Sequence, residues 1–273
     1  MTSRKKWVNT NRKWWDERAP SHATSPFYAV DDFRNGRDDL RPFEGDELGV
    51  DPTDLELLHL QCHLGNDTLS WARRGARVVG LDFSEPAIEL ARESARALRV
   101  DDRAEFVVSD VFDAVSALGG RTFDVVYTGV GALTWLPDIE RWAQVVAALL
   151  KPGGILYVVE IHPFLWSWAD TPDPELQFPY FGDVESDDAC GSYTDRSLAT
   201  KHNHVFEHNW SIGPVITAVV QAGLAVELVR EHEMGVEQKW PFMIRRDGFW
   251  YMPPDRPSIP QLWSLRARKP EAH

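Results

Sequence analysis

The stretch LELLHLQCHLGNDTLSWARRGARVVGLDFSEPAIELAR, Leu55 to Arg92, reads as strand, tight loop, helix, second strand and an aspartate at that strand's tip. This order builds a nucleotide-sized crevice at the carboxyl edge of a parallel sheet. Asp82 stands about twenty residues beyond the first loop, the usual offset for an acid that grips a ribose diol. The loop is nearly stripped of glycine: Gln61 and His63 stand where a dinucleotide fingerprint puts Gly, and only Gly65 remains. A pyrophosphate needs that glycine nest, so the pattern points to a nucleoside derivative with a different tail.

Outward from this segment, strands and helices keep alternating. Leu55 to Leu60 suits a strand and Asp67 to Arg74 a helix. Arg77 to Leu81 is a second strand, followed by Ser84 as N-cap and Pro86 in the first turn of a helix to about Leu98. Strands follow at Ala104 to Val108, Phe123 to Tyr127 and Ile155 to Glu160. Between the last two lies an amphipathic helix, Leu136 to Leu150, stopped by Lys151, Pro152, Gly153 and Gly154. The rhythm resumes with a helix at Gly213 to Ala222 and strands at Ala225 to Val229 and Gln261 to Ala267. Such alternation predicts an α/β fold with a doubly wound, Rossmann-like parallel sheet.

Three segments break the rhythm. Residues 1–45 are polar but carry Trp7, Trp14, Trp15, Phe27, Tyr28 and Phe33. A disordered tail is poor in aromatics, so this reads as an arm that packs, with a short helix around Asn11 to Arg18. Residues 162–211 are rich in Pro, Asp, His and aromatics, and structureless stretches of that length are usually functional. Trp240 to Pro260 is a further aromatic, proline-bearing loop.

Composition narrows the function classes. The 273 residues are 43% hydrophobic and 26% charged, ordinary for a soluble enzyme of one large domain. A net charge of −13 argues against nucleic acid as a partner, because phosphate binding needs a basic footprint. Two distant cysteines, Cys62 and Cys190, argue against a disulfide framework or a zinc cluster and suit a reducing, cytoplasmic setting. No apolar run reaches the length of a membrane span, and the start MTSRKKWVNTNRKWW lacks a signal peptide's apolar core.

The expected ligand contacts sit at strand ends. Asp82 ends the second strand and suits the ribose hydroxyls, with Phe83 beside it; a plain helix cap is the competing role, which Ser84 fills better. Asp110 ends the third strand, where an acid accepts from an adenine amine while Val111 offers its backbone amide; a solvated loop acid is the alternative. Gly65 lets backbone approach a ligand, or simply serves a strand-to-helix turn. Thr128, after the fourth strand, faces the ligand's reactive end.

The spacing of Gly65, Asp82, Asp110, FDVVY and LLKPGG resembles the class I S-adenosylmethionine-dependent methyltransferases, over roughly Leu55 to Glu160. The resemblance implies a seven-stranded sheet with an antiparallel last strand, an N-terminal lid over residues 1–45 and a methyltransferase domain over 46–273. It also implies S-adenosyl-L-methionine as cofactor, with Gly65 on its methionine and ribose side, Asp82 on the ribose, and Asp110 and Val111 on the adenine. The family commonly has an acid and further glycines in the first loop. His59, Gln61 and His63 stand there instead, with Gln61 and His63 as candidate partners of the methionine end.

A small molecule methylated at oxygen or nitrogen, as in secondary metabolism, is the expected substrate, and the expected state is a monomer or homodimer. Candidate bases are Glu160, His162 and His204, with His202 and His208 close by in KHNHVFEHNW. Polar surface or core roles compete for each, and no metal site is expected. The aromatics Trp135, Trp166, Tyr180 and Tyr28 are candidate substrate contacts; the competing role is apolar glue for the 162–211 insertion. Two rival functions stay open at this point: a non-catalytic cofactor-binding protein of the same fold, and a nicotinamide-dependent oxidoreductase.

Overall fold

The computed structural model of the chain describes residues 3–187 and 190–271. Three helices come first: α1 Arg4–Thr24, α2 Val30–Arg34 and α3 Glu44–Leu48. The alternating part follows as β1 Glu56–Leu60, α4 Asn66–Arg73, β2 Arg77–Asp82, α5 Glu85–Leu98, β3 Ala104–Val108, α6 Ala114–Ala117, β4 Phe123–Thr128, α7 Ile139–Leu149 and β5 Leu150–Ile161. Then come β6 Gly182–Asp187, β7 His204–Asn209, α8 Ile212–Gln221, β8 Ala225–His232, β9 Ile244–Arg246, β10 Phe249–Tyr251 and β11 Leu262–Arg268.

The main sheet has seven strands in the order β3-β2-β1-β4-β5-β11-β8. β11 runs antiparallel to both of its neighbours, and the β3 to β5 pairings are all parallel. The chain winds from β1 outward to β3, then returns to build β4 and β5 on the other side. The switch between β1 and β4 opens a crevice at the carboxyl ends of the strands.

Both sheet faces are buried. Leu58, Leu60, Val126 and Val158 pack on Trp142 and Val146 of α7 and Val215 and Val219 of α8. Leu57, Val125, Tyr127, Tyr157 and Val159 pack on Leu48 and Trp71. Each such aliphatic side chain contributes roughly 1.5–3 kcal/mol on burial. α5 starts where its sequence says: the Ser84 hydroxyl accepts from the Ala87 amide and a proline occupies the first turn.

Several expectations need correction. The N-terminal helix is 21 residues long rather than a short helix around Asn11 to Arg18. Its buried residues are Ala19 and the row Trp7, Asn11, Trp14, Arg18 and His22, the row spaced by four, three, four and four positions. That is a helical stripe, but three of its five members are polar, so hydropathy misses it. α7 begins at Ile139 rather than Leu136, because Asp138 caps it by accepting the Arg141 amide. The KPGG segment is a bulge inside β5, since β4 pairs first with Leu150 and next with Ile155. The insertion contains an antiparallel hairpin, β6 on β7, and the 240–260 loop contains another, β9 on β10, turned at Asp247 and Gly248. Among the described residues no helix is long and apolar enough to cross a membrane.

Candidate active site

The first loop, leaving β1, is built on left-handed backbone. Gln61 has φ 59°, His63 φ 48° and Gly65 φ 76°. Glycine adopts that conformation freely, whereas a residue with a Cβ meets a cost of roughly 1–2 kcal/mol. The chain therefore keeps the backbone of a glycine-rich loop while carrying two side chains on it. Strain of this kind persists where a site uses it. Gly65 has a packing role: a Cβ there would lie 2.9 Å from Ala91 and from Phe106, the contact that seats α5 against β3.

Asp82 ties this loop to the next. Its Oδ2 accepts the His63 amide and its Oδ1 the Ser84 amide, both at 2.9 Å. Burial pushes the carboxyl up to about 6. At the end of β3, Asp110 accepts the Phe112 amide on Oδ1 at 3.0 Å, and burial raises its carboxyl as well. Its Oδ2 has no hydrogen-bond partner among the described residues.

These strand ends line one crevice. Following the strand order, Asp110, Val111 and Phe112 form one end, Asp82 and Phe83 the middle, and Gln61, His63, Gly131, Ala132 and Trp135 the other end. Helix α1 roofs it with Val8 and Trp15, and Tyr28 joins from the following turn. Among the described residues no lysine or arginine lines this space. Gln61 donates its amide to Ala132 O at 2.9 Å, and Gln61 Oε1 is buried with no partner among the described residues. A buried unpaired acceptor is costly unless a ligand donor meets it.

The roof is fixed by polar contacts. Asn11 exchanges two hydrogen bonds with the Phe206 backbone, at 2.8 and 2.9 Å. Arg18, fully buried, donates to the carbonyls of Gly191 and His202 at 2.9 and 2.8 Å and lies 3.9 Å over the Trp14 ring. The arm and the insertion thus form one unit above the sheet. Trp15 presents its ring edge-on to His63 at 4.8 Å and to Trp135 at 5.1 Å. His22 joins His63 through Nδ1 to Nε2 at 3.0 Å and Ser192 Oγ through Nε2 at 2.8 Å. Burial, then the Arg18 charge, pushes His22 down to about 3, and burial holds His63 well below the usual histidine range.

The structure brings together Gln61, His63, Asp82, Phe83, Asp110, Val111, Tyr28 and Trp135 from the sequence expectations. The others lie outside the crevice lining. Glu160 is engaged as an anchor: Oε1 accepts from Gly131 at 2.5 Å and Ile161 at 2.7 Å, and Oε2 from Leu133 at 2.8 Å. Burial raises its carboxyl to about 7 even so. Both oxygens thus accept backbone amides, and Glu160 itself lies outside the lining. His162 is turned to Glu231, 2.8 Å from Nε2, and its Nδ1 accepts the Phe164 amide. His204 sits on β7 with its ring against Phe206. Thr128 is buried outside the crevice lining, its hydroxyl without a partner among the described residues. The Lys239 ammonium lies 5.8 Å over the Trp166 ring, outside the crevice lining. Tyr180 packs edge-on to Phe181 in the lead to β6.

Sequence reasoning missed His22, Val8 and Phe112 as parts of this site. The spacing of Trp7, Asn11, Trp14, Arg18 and His22 was the available signal for His22. Among the described residues no group of three or more His, Cys, Asp or Glu is placed to hold a metal ion.

Residues 58–156 match the family described as "Methyltransferase domain". The ubiquinone biosynthesis O-methyltransferase of Mesorhizobium japonicum is 32% identical over 161 residues, covering 55% of this chain and 59% of that protein. The chain thus spans little more than half the length of the curated relatives it matches. Among solved structures, an S-adenosylmethionine dependent methyltransferase from Mesorhizobium loti is 20% identical, with a TM-score of 0.56 over 86% of this chain and 100% of that one. The DhpI-SAH complex is 16% identical, with a TM-score of 0.60 over 99% of this chain and 100% of that one. At such identities the structural likeness is one of fold. Sheet order, the crevice at its switch point and the match over residues 58–156 make this chain similar to the class I S-adenosylmethionine-dependent methyltransferases.

Proposed function

We propose that the protein binds S-adenosylmethionine in this crevice and transfers its methyl group to a small molecule, at oxygen or nitrogen. The observation that carries this reading is Asp82 and Asp110 at neighbouring strand ends, in a space that no described lysine or arginine lines. A nicotinamide dinucleotide would set its pyrophosphate against two carboxylates with no cation to offset them, an unfavourable pairing in a poorly solvated cleft. A sulfonium nucleoside brings positive charge instead. Asp82 receives the ribose hydroxyls, the open oxygen of Asp110 an adenine amine, and Val111 offers its amide to the ring. Phe83, Val8 and Phe112 supply apolar cover. The unpaired Gln61 Oε1 suits the ammonium of the methionine end.

The bound cofactor supplies an electrophilic methyl group on a charged sulfur. The chain aligns the acceptor with it and excludes water, and the rings of Trp15 and Trp135 roofing the far end serve both tasks. Oxygen is the favoured acceptor, in keeping with relatives named as O-methyltransferases. On this reading the protein works in the cytoplasm, as a monomer or homodimer and without a nucleic-acid partner. The free cysteines and the net charge of −13 support that.

Binding calorimetry with S-adenosylmethionine, its demethylated product and NAD tests the proposal. The first two are expected to bind and NAD is not; binding of NAD alone would sink it.

A further inference from the structure

Methyl transfer to a hydroxyl needs somewhere for the hydroxyl proton to go, because an alcohol or phenol is protonated near neutral pH. Among the described residues lining the crevice, His63 carries the one imidazole. Asp82 and Asp110 are committed to holding the nucleoside on the reading above. Glu160 spends both oxygens on backbone amides, and His162 is turned away to Glu231.

Three separate parts of the chain converge behind His63. Its Nε2 meets His22 Nδ1 of α1 at 3.0 Å. His22 Nε2 meets Ser192 Oγ of the insertion at 2.8 Å, and Ser192 Oγ meets Thr194 Oγ1 at 3.2 Å. His22 and Ser192 are buried, whereas Thr194 reaches partial exposure. Hydrogen-bonding groups therefore run without a break from the crevice to the surface. His63 stands on left-handed backbone, where glycine would cost less, so the fold bears strain to keep an imidazole at this place.

Resting on methyl transfer as the activity, we propose that His63 is the general base, that the acceptor is a hydroxyl on a flat ring, and that His22 and Ser192 carry the proton away. The acceptor oxygen bonds to the methyl carbon as the carbon–sulfur bond breaks, and the sulfur keeps that electron pair. The hydroxyl proton passes to His63 Nδ1, the His63 Nε2 proton to His22 Nδ1, and the His22 Nε2 proton to Ser192 Oγ, which hands its own outward through Thr194. The site loses a positive charge at sulfur as it gains one on imidazole, so its net charge is constant through the step. Burial keeps both imidazoles neutral at rest, and it drives the proton outward once the transfer is complete. Flat walls from Trp15, Trp135 and Tyr28 suit a planar acceptor.

The relay requires one tautomer: His63 protonated on Nε2 and bare on Nδ1. Nitrogen-15 NMR of histidine-labelled protein reads this without any substrate, and a protonated Nδ1 on His63 overturns the proposal. His63→Gly removes the imidazole and suits the left-handed backbone, so the variant should keep its fold and its affinity for the demethylated cofactor within about threefold. Transfer from labelled S-adenosylmethionine to catechol or 3,4-dihydroxybenzoate should fall roughly 100- to 10,000-fold in kcat. Added imidazole should restore part of it, and His22→Gln should lower kcat about tenfold with KM unmoved. Unchanged kcat in His63→Gly, or native protein that binds the demethylated cofactor yet methylates neither phenol, overturns the base assignment while leaving the cofactor reading standing. Failure to bind the demethylated cofactor overturns the cofactor reading itself.

Discussion

Asp82 holds two loops at once, through the amides of His63 and Ser84, while presenting its oxygens to the crevice. Asp82→Ala removes the proposed ribose acceptor and the hydrogen bonds that hold the first loop. Each charge-assisted hydrogen bond lost is worth about 1.5–3 kcal/mol, so affinity for the demethylated cofactor should drop about 100-fold. Calorimetry checks this, and an unchanged affinity would refute the ribose assignment. His59 illustrates a second residue-level effect. It is buried, hydrogen-bonded to Thr68 Oγ1 at 2.7 Å, and burial pushes it down to about 4. An unfolded histidine titrates near 6.5, so between about pH 6.5 and 4 the unfolded chain binds a proton that the folded chain refuses. The stability present above that window is lost as pH falls through it. Asp82 and Glu160, both raised, act in the opposite sense, so a variant isolates the effect. His59→Asn should show a smaller drop in melting temperature from pH 7 to pH 5 than the native chain, by about 3 °C. Equal drops would contradict it. At this scale the acids were legible in the sequence because a strand end is a definite place. Glu160 and His162 also end a strand, yet their roles were not legible, since which way an end residue turns depends on the loops packed around it.

Among elements, the 129–135 loop and α1 show how the crevice walls are set. Glu160 accepts three amides from residues 131, 133 and 161. Glu160→Gln would point an amide nitrogen at one of those donors, costing about 2 kcal/mol and lowering the melting temperature by about 4 °C. Affinity for the demethylated cofactor should weaken with it, because Gly131 and Ala132 line the crevice. A thermal shift scan and calorimetry read both, and a variant unchanged in both removes Glu160 from the wall. Arg18→Met leaves the carbonyls of Gly191 and His202 facing an apolar chain. Such a loss should cost about 3 kcal/mol and weaken cofactor binding more than tenfold as Trp15 and Val8 shift. Normal affinity in that variant would show that α1 is not a wall of the site. The β-α-β core was readable because its apolar periods match strand and helix. α1 was foreshortened in the reading because Asn11, Arg18 and His22 fill its buried stripe, and hydropathy does not register a buried polar face whose partners lie in residues 190–206.

For the whole molecule, the sheet order follows from alternation and from the handed winding of parallel strands. Trp71, Trp142 and Trp263 pack in the cores on the sheet faces, and six further tryptophans go to two other places. Trp7, Trp14, Trp15 and Trp135 join the roof over the crevice, while Trp168 and Trp240 build a separate apolar cluster beneath the 240–260 hairpin. Composition alone did not divide them, because the division depends on where the insertion folds back. The arm, the first loop and the insertion meet only in three dimensions, at His22, His63 and Ser192. The most direct test of the account as a whole is a crystal structure of the chain soaked with the demethylated cofactor. Adenine beside Asp110 and Val111, the ribose diol on Asp82 and the homocysteine end at Gln61 are the expected result. Density for the nucleoside elsewhere on the molecule, with the crevice between β1 and β4 empty, would contradict it.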